Sequence, residues 1–156
     1  MSERIATTRR IAAPAGHIFR LITDPAVHVR IDGSGMLVAT GTARVLRAVG
    51  DAFEMDMDRE PIGDLPLGRY QVRNTVTRIE PDALLEWSVA ANGRSPWGHV
   101  WGYTLVAVGD SETDVTSYCD WSGIPERRRG ASRWPVVPVE SMAASLAKLD
   151  AIATAR

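Results

Sequence analysis

Residues that announce a particular chemistry are scarce in this chain, and each scarcity excludes something. Cysteine occurs once, at Cys119, which rules out an intrachain disulfide and leaves the redox compartment undetermined. The three histidines, His17, His28 and His99, are scattered with no pair at ligand spacing, so no metal site and no cofactor is expected. Charge of one sign is also lacking. Eighteen Lys and Arg face nineteen Asp and Glu for a net charge of −1, which removes any global attraction to nucleic acid or an acidic membrane. The one dense run, Arg127-Arg128-Arg129, is too short for a nucleic-acid arm and reads as a solvated loop. No long apolar run follows Met1-Ser2-Glu3-Arg4-Ile5, so neither a signal peptide nor a membrane span is expected, and the expected location is the cytoplasm. Ser34 lies between glycines but no G-x-S-x-G elbow follows a strand there. Gly33-Ser34-Gly35-Met36 lacks the third glycine of a dinucleotide fingerprint, and no P-loop is present.

What remains is an ordinary globular composition, 45% hydrophobic and 24% charged over 156 residues, enough for one domain spanning 1–156. Ile5–Ile11 reads as a strand. Pro14 opens a short helix carrying Ile18, Leu21 and Ile22, and Asp24 caps a second, from Pro25 to about Ile31. Asp32-Gly33-Ser34-Gly35 is a turn. From Leu37 the period becomes two, predicting strands over Leu37–Leu46, Ala52–Asp58, Tyr70–Ile79, Leu84–Val89, His99–Val108 and Asp114–Trp121. Their short connections imply an antiparallel meander. After an irregular stretch with Gly123, Pro125, Gly130, Pro135 and Pro138, a helix from about Val139 to Thr154 carries the stripe Val139, Met142, Leu146, Leu149 and Ala153.

The strands sort their residues by face. Phe53, Met55 and Met57 oppose Glu54, Asp56 and Asp58; Tyr70, Val72, Asn74 and Val76 oppose Gln71, Arg73, Thr75 and Thr77; Leu85, Trp87 and Val89 oppose Glu86 and Ser88. The acids therefore face solvent, where Arg73 can pair with them, and do not form a catalytic carboxylate pair. Trp97 to Leu105 is the most telling segment. It puts His99, Trp101, Tyr103 and Leu105 on one side, and Val100, Gly102 and Thr104 on the other. Large rings with polar tips on an inward face suit a pocket wall, because each tip needs a partner that a ligand can supply. His17 and His28, on the small helices, read as exposed polar residues. Arg69 is a candidate anion or enolate stabiliser unless its parity turns it outward.

Several segments carry a resemblance. Ile11-Ala12-Ala13-Pro14 leading to Phe19, then Asp24-Pro25 with His28 and the turn Asp32-Gly33-Ser34-Gly35, resemble the opening of the polyketide cyclase/dehydrase family of the START-like (SRPBCC, Bet v 1-like) superfamily. Asn74 with Val76, Glu86-Trp87-Ser88, Gly98-His99-Val100-Trp101-Gly102-Tyr103 and Asp120-Trp121-Ser122 resemble its later strands. The resemblance implies an α+β helix-grip fold: a curved antiparallel sheet of about seven strands wrapped around the long C-terminal helix, two short helices after strand one, and a cavity between sheet and helix. Cys119 stands where an aromatic is expected in the resembling strand, which would reshape that cavity.

Three functions follow as expectations. The first is binding of a small apolar molecule, lipid- or polyketide-like, in an enclosed cavity lined by Phe53, Met55, Tyr70, Val72, Trp87, His99, Trp101, Tyr103, Leu105, Met142 and Leu146. The second is a metal-free cyclase or dehydrase in which His99 acts as acid/base while Tyr103 or Asn74 stabilises an enolate. The third is a protein-interaction module with a filled core. The sequence leaves open whether the protein is a monomer or a homodimer.

Overall fold

Alternating side chains from Ala52 onward commit most of the chain to a sheet, and the computed structural model, which describes residues 2–156, shows how it curls. The strands are β1 (Arg4–Ile11), β2 (Leu37–Ala39), β3 (Ala52–Asp58), β4 (Arg69–Glu80), β5 (Leu84–Ala91), β6 (Val100–Val108) and β7 (Glu112–Asp120). They form one seven-stranded sheet in the order β1-β7-β6-β5-β4-β3-β2. Every pairing is antiparallel. Two short helices, α1 (Ala15–Ile22) and α2 (Pro25–Ile31), follow β1, and α3 (Val139–Ala153) closes the described chain. Asp24 caps α2 as its sequence predicts, its side chain accepting from Ala26 N at 3.0 Å with Pro25 in the first turn.

The inner face carries the core. Phe53, Met55, Val76, Leu85 and Val115 are buried there, with Ile18 and Ile22 of α1 against them. From α3, Met142, Leu146, Leu149 and Ala153 turn inward, whereas Val139 at its start is 37% exposed and lies outside the stripe expected of it. Arg9 Nε reaches Asp150 Oδ2 at 2.7 Å and ties β1 to α3. Gly33 brings the turn after α2 against α3, where a Cβ would stand 2.4 Å from the Ser141 carbonyl oxygen, and Ser145 Oγ accepts from Gly33 N at 2.8 Å. No helix among the described residues is long and apolar enough to cross a membrane.

The outer face is wet, as parity predicts. Arg73 lies 3.8 Å from Glu54, Arg69 lies 3.3 Å from Asp58, and Gln71 donates to Asp56 at 2.9 Å. Arg69 is thus turned outward, away from the cavity. Tyr118 is the exception on this face: its ring covers Gly102, its hydroxyl donates to Glu86 Oε1 at 2.8 Å, and the Arg4 guanidinium sits 4.6 Å from the ring centre.

The second strand is shorter than the predicted Leu37–Leu46. Pairing stops at Ala39 because threonine side chains take over the partner's backbone: Thr40 Oγ1 donates to Glu54 O at 2.6 Å and Thr42 Oγ1 accepts from Glu54 N at 3.0 Å. Freed from the ladder, the chain turns Leu46 into the core, where its N–H bonds Thr23 O at 2.9 Å.

Candidate functional site

Between the inner face of the sheet, the C-terminal end of α2, α3 and the segment 132–137 lies a cavity of about 160 Å³. Strand parity supplies most of its wall: Met55 and Met57 from β3, Tyr70, Val72 and Asn74 from β4, Trp87 and Val89 from β5, and Trp101 and Tyr103 from β6. His99 lines it from the residue just before β6, and Met142 and Ser145 close it from α3. Of the residues expected to bind ligand, Phe53, Leu105 and Leu146 stand outside this wall. They are packed into the core behind it, 1%, 5% and 1% exposed respectively. Cys119 is likewise absent from the wall. It lies in a separate apolar cluster with Trp121 and Ile124, and burial pushes its thiol up to about 12, so it stays protonated.

Two polar atoms in the wall are left without protein partners. Among the described residues, Asn74 Oδ1 and His99 Nδ1 are buried side-chain atoms that form no hydrogen bond. The sheet places them together. Val89 of β5 pairs with Asn74, and β6, which His99 immediately precedes, pairs with β5 on its other side. Asn74 on β4 and His99, just before β6, thus flank β5 on either side, and both line the cavity. A buried, unpaired polar atom costs about 1–3 kcal/mol, and two of them here belong to residues lining one cavity. His99 is held between indoles: its ring stacks on Trp97 at 5.9 Å and tilts 4.6 Å from Trp134. With burial the sole cause of the shift and no carboxylate to offset it, the imidazole is lowered to about 4 and is neutral at physiological pH.

The inner end of the cavity is an aromatic cluster around a residue that the sequence reading placed on the surface. His28 is buried at 5% exposure, because α2 presses it between Phe53 at 5.3 Å and Trp87 at 5.0 Å. Its Nε2–H donates to the Ile22 carbonyl at 2.7 Å, which leaves a lone pair on Nδ1, and burial lowers its affinity for a proton. The Tyr103 ring lies 6.4 Å away, its phenol raised by burial and then by Asp32, so that it stays protonated and can donate. His17, the other histidine expected to be exposed, is half-buried and bridges to the Ala153 carbonyl at 3.2 Å. Among the described residues no three of His, Cys, Asp or Glu converge in a way that could hold a metal ion.

At the opposite end stands Arg59, 4% exposed and also missed from sequence. Its guanidinium grips Asp64 through Nε at 2.7 Å and Nη2 at 2.8 Å, and Nη1 donates to Tyr70 Oη at 3.4 Å. Continuing the parity of Phe53, Met55 and Met57 by one step reaches Arg59, so the signal was present just past the predicted strand end. Ser132 and Trp134, which also line the cavity, lie in an irregular proline-rich stretch where no period exists to place them.

Many solved structures share this architecture. Protein CV1439 of Chromobacterium violaceum superimposes with a TM-score of 0.68 at 17% identity, covering 100% of both chains. Truncated norcoclaurine synthase of Thalictrum flavum gives 0.64 at 17% identity over 100% of this chain and 96% of its own. Ginseng major latex-like protein 151 of Panax ginseng gives 0.66 at 10% identity over 97% of each chain. The fold is the Bet v 1-like helix-grip fold. No family model matches the chain. By sequence the chain is 30% identical over 118 residues to the uncharacterized protein Rv0088 of Mycobacterium tuberculosis, a match covering 76% of this chain and 47% of that protein. The chain thus spans about half the length of the curated relatives it matches.

Proposed function

We propose that this protein binds a compact amphipathic molecule, about the size of one ring with a short tail, in the cavity between sheet and α3. The observation that carries the reading is the pair of unpartnered buried atoms, Asn74 Oδ1 and His99 Nδ1, on two residues that line the cavity. Size supports a compact occupant: an apolar cavity of about 150 Å³ accommodates benzene, whereas drug-sized ligands occupy about 300–1,000 Å³. At about 160 Å³ this cavity suits a single ring better than a long acyl chain or a fused polyketide. Met55, Met57 and Met142 let the wall adapt to the shape of that ring. The ligand's polar group would meet Asn74 and His99, which at neutral pH supply one amide and one neutral imidazole.

Two other readings are weaker on the same grounds. A cyclase or dehydrase using His99 as base would rely on an imidazole already lowered to about 4, a poor proton acceptor at neutral pH. An interaction module with a filled core fits poorly with a void bounded by unpaired polar atoms. The test is a titration with phenol and with 4-phenylbutanol, followed by tryptophan emission and calorimetry. Saturable binding that Asn74→Leu and His99→Leu each weaken by about tenfold is expected, that being the scale of one hydrogen bond to a buried polar group. Absence of saturable binding by either compound, or binding indifferent to both substitutions, would overturn the reading.

A further inference from the structure

The cavity adjoins a broader outer depression of about 670 Å³, and Arg59, Trp97, Ser132 and Trp134 belong to the walls of both. The depression lies between the β3–β4 loop, the β5–β6 loop and the 3₁₀ turn Glu126–Ala131. Its wall contains three arginines, Arg59, Arg94 and Arg128, and no aspartate or glutamate. Arg59 is already neutralised by Asp64. Arg94 is exposed, and neither it nor Arg128 forms an ion pair among the described residues. Arg128 Nη1 donates to the Pro96 carbonyl at 3.3 Å, which fixes the 3₁₀ turn against the loop that carries Arg94 and sets both cations on one rim. Arg129 is held by Glu3 and by the Ser122 and Ile124 carbonyls, and Glu126 is exposed and outside the wall.

Two cations on the rim of a depression floored by Leu65, Ile124 and two indoles form an amphipathic entrance of one sign. An arginine fork matches a carboxylate in geometry and charge, and beside a low-dielectric floor the attraction is stronger than in open water. We propose that the outer depression receives a carboxylate on the ligand, so that the natural ligand is an amphipathic carboxylic acid whose ring, with a polar substituent for Asn74 and His99, lies in the inner cavity while its acid group reaches Arg94 and Arg128. This inference rests on the proposed function above, since it assigns chemistry to the tail of the molecule seated there.

Matched probes separate the two claims. Calorimetry at neutral pH compares 4-(4-hydroxyphenyl)butyrate with 4-(4-hydroxyphenyl)butanol, which share the ring, its hydroxyl for Asn74 and His99, and the chain, and differ in charge. The acid should bind at least about tenfold more tightly, the scale of a hydrogen bond to a charged group, and added salt should erode its advantage alone. In the double variant Arg94→Gln, Arg128→Gln, which loses no ion pair, the acid-to-alcohol ratio should fall toward one. If the alcohol binds and the acid has no advantage, or the double variant keeps the full ratio, the anion site is refuted while the cavity reading stands. If neither compound binds, both are refuted.

Discussion

Replacing His99 by glutamine should flatten the acid end of the stability profile. The unfolded chain carries this imidazole at its ordinary value of 6.5, and the folded chain lowers it to about 4 because burial strips its water and no acid compensates. Between those values the unfolded state binds a proton that the folded state refuses. Stability is therefore full above about pH 6.5, falls as the pH drops, and stops falling on this account below about pH 4. At about 1.4 kcal/mol per unit of pKa difference, the loss at pH 4.5 is about 2.5 kcal/mol, or roughly 5–10 °C in melting temperature for a chain of this length. Other groups do not blur the window. Asp51, Asp64 and Asp114 are held below their ordinary 3.8 by hydrogen bonds from Arg47, Arg59 and Arg10 respectively, so their contributions are lost only at lower pH. His28 is also lowered by burial and acts in the same direction as His99, but it is common to both proteins and cancels in the comparison. Urea melts of the native protein and His99→Gln at intervals from pH 7.5 to 4.5 should converge toward acid, the variant losing about 2–3 kcal/mol less. Parallel curves would show that His99 is solvated or paired in solution and that the neutral-imidazole argument is wrong.

Three further outcomes follow from the packing. Leu146→Ala, at a fully buried position of α3, should cost about 2–5 kcal/mol in a urea melt, and a loss well below 1 kcal/mol would mean that the helix stripe does not face the core. Asn74→Leu removes an unpaired buried acceptor at similar volume, so the ligand-free protein should gain about 1 kcal/mol, read as a rise of about 2–4 °C in Tm; a clear destabilisation would reveal a structural partner for the amide. In Gly102→Ala the new Cβ would stand 2.4 Å from Tyr118 Cζ, forcing the ring off Glu86 at a cost of about 1–3 kcal/mol, while a neutral effect would show that the ring does not rest on Gly102.

Strand parity made the fold and much of the cavity wall readable before any coordinates. A side-chain period of two has no tolerance for a one-residue error, and the runs from Phe53 to Met57 and from His99 to Tyr103 kept that period across their whole length. The same rule turned Arg73, Asp56 and Asp58 outward. Parity distinguishes inside from outside but cannot tell wall from core, which depends on how far α3 and the helices stand from each strand. Hence Phe53, Leu105 and Leu146 are inward yet sealed behind the cavity. His28 escaped because α2 is a seven-residue helix, too short for a period to reveal its buried face, and its burial comes from Phe53 and Trp87 on distant strands. Leu37–Leu46 was overextended because Thr40 and Thr42 have strand propensity but use their hydroxyls to replace the ladder instead of continuing it. Trp134 had no local signal at all, since the stretch between the 3₁₀ turn and α3 is placed by tertiary contacts alone.

The central claim is that Asn74 and His99 await a ligand's polar group inside the cavity. Nitrogen-15 NMR of the His99 imidazole during titration with 4-phenylbutanol tests it most directly, because that ring reports both its tautomer and any new partner at Nδ1. The account predicts a saturable shift of the His99 nitrogens, with the Asn74 amide moving along the same binding curve. Saturable binding that leaves both side chains unmoved, or no binding at all, would contradict it.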